Sequence, residues 1–228
     1  MIFLKCIVMI TLISDIHSNL EALEEVLKCS KGDIYCCGDF VGYGPNPNEV
    51  IELCIEKGVK GVFGNHDYAV MNKLAGFNIY AQKAIEWTKS VLNKESIEFL
   101  KGLKFSINLE IENKRISIFH GSPISVTQYI YPNYPDSYFE MFLKEIDILV
   151  LGHTHIPMVK NIDKKLVLNP GAVGQPRDGN SKASMFFLDP AKMKIKEKRI
   201  KYNIEEVRKK IIKNKLPDFL WERLYSGL

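Results

Sequence analysis

All five histidines of the chain fall in four short segments that directly follow apolar runs. They are SDIH (Asp15, His17), GNHD (Asn65, His66, Asp67), HGSP (His120) and GHTH (His153, His155). A fifth segment, GDFVGYGPNP, places Asp39 behind another apolar run. A lone buried histidine is more often a packed core residue than a ligand, a lone aspartate before a turn is usually a cap, and an H-x-H pair arises by accident in many loops. Five such segments, with no histidine elsewhere, argue together for one polar cluster. Residues two apart in extended chain point the same way, so Asp15 with His17, and His153 with His155, can each clasp one centre.

The donors in that cluster are carboxylate, imidazole and one amide oxygen, without a thiolate. Such a set suits borderline divalent ions, Mn2+ first and then Fe2+, Zn2+, Ni2+ or Co2+, over an iron–sulfur cluster or an all-oxygen Ca2+ cage. Seven candidate ligands exceed one tetrahedral site: Asp15, His17, Asp39, Asn65, His120, His153 and His155. They suit two ions sharing a bridging carboxylate about 3.5–4 Å apart, the arrangement of phosphatases and nucleases. Cys36 and Cys37 precede Asp39 closely, but cysteine within a strand is normally core.

The elements that must present these groups alternate. Met9 to Ile13 predicts a strand, and a helix follows from about Asn19, with Ser18 and Glu21 at capping-box spacing. Asp33 to Cys37 predicts a second strand, and Asn46 with Pro47 opens a second helix. Gly61 to Phe63 is a third strand, and a long helical region spans about Ile79 to Leu100. This order implies a parallel sheet. Beyond it, Lys104 to Ile111 and Arg115 to Phe119 read as a hairpin about Glu112-Asn113-Lys114, and Asp147 to Leu151 as a buried strand. Two more hairpins turn near Asp163-Lys164 and Asp189-Pro190, before helices at about Ile204 to Ile212 and Leu216 to Leu224. Ligand sites in open α/β sheets form at the carboxyl ends of strands, where these five segments lie.

Composition narrows the class. The 228 residues are 46% hydrophobic and 25% charged, with 5 Cys, 15 Gly and 10 Pro, which excludes disordered, collagen-like and disulfide-stapled chains. The net charge of +4 is too weak to argue for nucleic acid, and the basic run from Lys192 to Lys215 reads as a solvated face. There is no stretch of 18 apolar residues and no cleavage site behind the apolar opening, which Lys5 interrupts; Met9 could itself serve as the start. Cys6, Cys29, Cys36, Cys37 and Cys54 match no zinc spacing and read as free thiols in a reducing compartment. The expectation is a cytoplasmic protein without membrane or specific nucleic-acid partners, its oligomeric state open. One domain over residues 1–228 is expected, with the helices from about 203 to 228 as an appendage.

SDIH, GDFVGYG, GNHD, HGSP and GHTH, in this order and at these spacings, resemble the calcineurin-like metallophosphoesterase superfamily from about Met9 to Arg177. NPGAVGQPRDG (Asn169 to Gly179) is similar to its bacterial and archaeal phosphodiesterase branch. The resemblance implies a four-layer α-β-β-α sandwich, two mixed β-sheets flanked by helices, with a dinuclear metal site at the strand ends. It implies that Asp15, His17 and His155 hold one ion, that Asn65, His120 and His153 hold the other, and that Asp39 bridges them. His66 would be the non-ligand histidine beside the leaving group, with Arg177 and Asn65 contacting a small phosphate-ester substrate. Protein serine/threonine phosphatases of this superfamily carry an Asp and an Arg where this chain has Gly42 and Tyr43, which argues against that activity. The expected function is a metal-dependent phosphoesterase acting on diesters. The alternatives are a phosphomonoesterase, a nucleotide pyrophosphohydrolase or a non-catalytic scaffold. Tyr68 to Tyr80 and Thr127 to Phe142 are candidates for the wall on the leaving side.

Overall fold

The computed structural model describes residues 8–228; the readings of Cys6 and of the opening around Lys5 fall outside that range. In chain order the first elements are β1 (Ile10–Ile13), α1 (Leu20–Cys29), β2 (Asp33–Cys36), α2 (Pro47–Glu56), β3 (Lys60–Gly61), α3 (Asn65–Met71), α4 (Ile79–Val91) and α5 (Lys94–Gly102). They continue as β4 (Ile107–Ile111), β5 (Lys114–Ile118), α6 (Asp136–Leu143), β6 (Ile148–Val150), β7 (Met158–Ile162) and β8 (Lys165–Asn169). The last are β9 (Ala183–Asp189), β10 (Lys194–Ile200), α7 (Ile204–Lys213) and α8 (Phe219–Ser226).

Two mixed sheets result, ordered β10-β9-β1-β2-β3 and β4-β5-β6-β8-β7. Within the first, β1, β2 and β3 run parallel and β9 pairs antiparallel with β1. Successive strand residues point to opposite faces, and the cores divide accordingly. Leu12, Ile148 and Val150 join the layer between the sheets with Phe186 and Leu188, whereas Ile13 packs under α1 with Leu23 and Val26. Leu149 and Leu151 meet Phe139 and Leu143 of α6 on the outer face of the second sheet. The layering is therefore helix, sheet, sheet, helix, as the resemblance implied.

Several local readings shift. Asn19, not Ser18, caps α1: its side chain accepts the Ala22 N–H at 3.1 Å, while Ser18 sits at φ +55 in the left-handed region. Asn46 holds the cap position of α2, but its amide bonds the Glu49 carboxylate at 3.1 Å rather than a helix N–H. The helical region from Ile79 divides because Leu92 is extended and Asn93 caps α5 through the Ser96 N–H. β3 is Lys60–Gly61, and α3 and α6 are helices that periodicity did not signal. The hairpin loops at Glu112-Asn113 and Asp163-Lys164 hold two residues each, all at positive φ, which matches the twist of the strands they join.

The terminal helices cover α4. Val207, Ile211, Leu220 and Leu224 pack with Ala81, Ala84 and Tyr43, and each is at most 3% exposed. Burial on that scale contributes roughly 1.5–3 kcal/mol per large aliphatic side chain before chain entropy is charged against it.

Candidate metal centre

Five strand ends feed one rim: β1 leads to Asp15 and His17, β2 to Asp39, β3 to Asn65 and His66, β5 to His120, and β6 to His153 and His155. The chain there is not extended as the two-residue spacing implied. Asp15, His17, Asp39, His153 and His155 have φ between +47 and +67, a region that L-residues other than Asn, Asp and His seldom adopt. Convergence comes from these turns, each storing strain of order 1–3 kcal/mol that surrounding structure must hold. Main-chain bonds lace the loops: Asp15 N–H to the Gly38 carbonyl at 3.0 Å, His17 N–H to Asp39 at 2.9 Å, and Gly174 N–H to Asp15 at 2.9 Å.

The side chains meet with acceptor facing acceptor. Nδ1 of His17, His120 and His155 lies against the carbonyls of Val41 (3.2 Å), Cys37 (2.7 Å) and Gln175 (2.5 Å). A carbonyl only accepts, so each Nδ1 carries a proton and Nε2 is left as the coordinating atom, bare at neutral pH in His17 and His155. Yet His17 Nε2 and His155 Nε2 stand 3.2 Å apart, and Asp15 Oδ1 lies 3.8 and 3.2 Å from them. That buried oxygen makes no hydrogen bond. His120 Nε2 in turn faces Asn65 Oδ1 at 3.0 Å and Asp39 Oδ2 at 3.4 Å. Buried acceptors aimed at one another are costly unless protons or cations sit among them. Oxygen, nitrogen and amide donors of this kind fit borderline divalent ions.

Ligating atoms within 4.8 Å of one another form three groups: Asp15, His17 and His155; Asp39, His120 and His153; and His17, Asp39 and His66. Asp39 joins the first two, because its Oδ2 is 3.5 Å from His17 Nε2 and 3.4 Å from His120 Nε2. Its other oxygen accepts the His66 main-chain N–H at 2.9 Å. His153 donates from Nε2 to the Thr127 carbonyl at 3.2 Å, which leaves Nδ1 as its free lone pair.

The electrostatics keep His17, His153 and His155 neutral and leave His120 as the ring that carries an extra proton. Burial alone would raise Asp15 and Asp39, but the imidazoles around them, His155 and His120 above all, hold both below the usual carboxylate range. Burial lowers His17 and His155, and takes His153 down to about 3. His120 moves the other way, up to about 9, because Asp39 and Asp15 outweigh its burial.

His66 sits one layer out. Its ring packs near His17, Tyr43 and Phe77 at centroid distances of 4.8, 4.5 and 5.0 Å. Burial, reinforced by the Arg177 charge, brings it down to about 4, so it is neutral at pH 7. Asp67 does not orient it: that carboxylate accepts the N–H groups of Gly64 and Val41, both at 3.0 Å, and so staples two loops. A cavity of about 310 Å³ opens beside His66, lined by Tyr43, Asn65, Phe77, Tyr129 and His153. Arg177 stands nearby, its Nη2 bonded to the Tyr43 hydroxyl (3.3 Å) and Gln175 Oε1 (2.9 Å).

The structure thus brings together every residue singled out in the sequence. Phe77 and Tyr129 fall in the two stretches expected to wall the leaving side and both line the cavity, whereas Tyr43 as a wall and the carbonyls that fix the rings were not singled out. The stretch from Thr127 divides: Ile130 and Phe139 are core, whereas Tyr129 stacks on His153 at 3.9 Å and lies parallel to Tyr131 at 5.9 Å. Among the described residues, no helix is long and apolar enough to cross a membrane.

Known proteins match this architecture. The profile of the calcineurin-like phosphoesterase superfamily domain matches residues 8–193. The uncharacterized protein MJ0912 of Methanocaldococcus jannaschii is 42% identical, covering 96% of this chain and 98% of its own. Phosphodiesterase YfcE of Escherichia coli K12 is 29% identical over 77% of this chain and 84% of its own. The crystal structure of a metallophosphoesterase from Sphaerobacter thermophilus superposes with a TM-score of 0.84 at 32% identity, over 96% of this chain and 99% of the other. Fold, site and sequence agree, and the chain belongs to the calcineurin-like phosphoesterase superfamily of metal-dependent phosphoester hydrolases.

Proposed function

We propose that the chain hydrolyses phosphodiesters with two divalent cations, manganese being the first choice for reconstitution. In this reading Asp15, His17 and His155 hold one ion, Asn65, His120 and His153 hold the second, and Asp39 bridges. The observation that carries it is the place of Asp39 Oδ2, 3.5 Å from a ring of one group and 3.4 Å from a ring of the other. When bound, the ions supply Lewis acidity, acidifying water toward neutral pH and offsetting charge on phosphoryl oxygens.

The protein's own groups do the rest. The carbonyls of Val41, Cys37 and Gln175 lock the ring tautomers so that each Nε2 faces inward. His66, neutral and walled by Tyr43 and Phe77, offers its ring N–H to the departing ester oxygen. Assistance of that kind is typically worth ~10²–10⁴ in rate. Arg177, steadied by Tyr43 and Gln175, clamps a phosphoryl oxygen, and Asn65 faces the cavity where the substrate enters. A diester is favoured because the cavity beside His66 has room for a second ester group. The similarity to a phosphodiesterase of Escherichia coli supports the same preference. Among the described residues Cys36, Cys37 and Cys54 are buried free thiols, which supports a cytoplasmic setting.

Hydrolysis of bis(p-nitrophenyl) phosphate tests the reading. Activity is expected to disappear with chelator and return with Mn2+. Hydrolysis indifferent to chelation would overturn it.

A further inference from the structure

The chain alternates in burial as it leaves the HGSP loop. Ile130 is turned into the outer core with Phe139, whereas Tyr129 and Tyr131 are turned outward together, 42% and 41% exposed. Their rings lie parallel, with 5.9 Å between centroids and 8° between planes, within the range of offset stacking. Tyr129 also rests on the ring of His153, centroids 3.9 Å apart. A row of three rings therefore runs from the metal centre to the surface.

The row is held rigidly. His153 Nε2 donates to the Thr127 carbonyl at 3.2 Å on one side of it. On the other side the Tyr134 N–H closes a turn on the Tyr131 carbonyl at 3.0 Å, with Pro132 presetting the backbone of that turn. Between them Ile130 anchors the segment, 2% exposed. Rings fixed in this way lose little freedom when a ligand covers them, so the ordering cost of binding is already met in the fold. Tyr129 is in addition a wall of the cavity beside His66, and thus belongs both to the cavity and to the outward row.

Parallel exposed faces suit a planar ring. A cage for a quaternary ammonium would instead turn several rings inward on one point and gain from a carboxylate beside it. Among the described residues, none of those lining the cavity is acidic. Stacking on aromatic side chains is open to every nucleobase, because each has a π face.

We propose that Tyr129 and Tyr131 form a stacking platform for a nucleobase, which makes nucleoside phosphodiesters the substrate class of the adjoining metal centre. The inference rests on the phosphodiesterase reading for its place in the reaction. The phosphoryl group lies at the metal centre, the base covers the tyrosines, and little preference among bases is expected.

Adenosine 5′-monophosphate and ribose 5-phosphate differ in the base, so the ratio of their dissociation constants isolates its contribution. Calorimetry in Mn2+ buffer on the wild type, Tyr131→Phe and Tyr131→Ser reads that ratio without reference to turnover. The wild type and Tyr131→Phe are expected to bind the nucleotide about tenfold more tightly than the sugar phosphate. Tyr131→Ser, at an exposed position, brings the two ligands together. Phosphocholine, titrated alongside, is expected to bind no better than ribose 5-phosphate. A ratio near one in the wild type, or one unmoved by Tyr131→Ser, overturns the platform. So does tighter binding of phosphocholine that Tyr131→Ser abolishes, since the occupant is then a cation. Absence of bis(p-nitrophenyl) phosphate hydrolysis beside a base-dependent ratio would strike the hydrolase reading alone, so the two failures are told apart.

Discussion

Gly42 lies directly against His66: a Cβ at that position would fall 2.7 Å from Nδ1 of His66 and 2.8 Å from Nδ1 of His17. The glycine also holds φ +128, which an L side chain seldom adopts. The position where protein phosphatases of this superfamily carry a charged side chain is thus closed here by backbone. Its neighbour Tyr43 fills the space, 4.5 Å from the His66 ring and 4.6 Å from that of His17.

Gly42→Ala is therefore expected to displace both imidazoles. Turnover should fall steeply, and thermal stability should drop by about 1–3 kcal/mol from backbone strain alone. Melting curves and kcat measured together check this; unchanged values for both would mean the loop relaxes freely.

His66→Ala should keep both metals and lose most turnover, by roughly 10²-fold or more. Metal content by elemental analysis beside kcat decides it. Loss of an ion would make His66 a ligand, as its place within 4.8 Å of His17 and Asp39 atoms permits.

Much of the site was legible because its ligands follow apolar runs that end at one edge of each sheet. The reason for convergence was not. Spacing suggested extended pairs, whereas Asp15, His17, His153 and His155 turn through left-handed φ, a conformation that neither propensity nor periodicity encodes. The helix α3 begins inside GNHD behind Gly64, which has no capping side chain to announce it. The spacing of Ser18 and Glu21 reads as a capping box, and only the fold hands the cap to Asn19. Tyr43 is backed by Val207, Ile211, Leu220 and Leu224 through the docking of α7 and α8, a long-range contact no local pattern carries.

Proton release should accompany metal uptake. His120, raised to about 9 by Asp39 and Asp15, carries a proton near neutral pH in the metal-free protein, while His17, His153 and His155 are shifted downward and already neutral. An ion facing His120 Nε2 displaces that proton, so affinity rises with pH until His120 titrates, and release falls away above it. Calorimetry in buffers of different ionisation enthalpy should find about one proton released near pH 7. Release independent of pH from 7 to 10 would contradict the assignment.

Leu220→Ala should destabilise the protein by about 2–5 kcal/mol, the usual cost of emptying a buried leucine site. Leu220 is 1% exposed and packs in the cluster that backs Tyr43, so KM should rise as well. Denaturant unfolding with parallel kinetics checks it; a loss of stability with KM unmoved would separate the terminal helices from the site.

Anomalous diffraction from crystals grown with manganese tests the central claim most directly. Two peaks about 3.5–4 Å apart are expected, one among Asp15, His17 and His155, the other among Asn65, His120 and His153, with Asp39 between them. A single peak, or manganese bound elsewhere while these seven groups face only water, would contradict it.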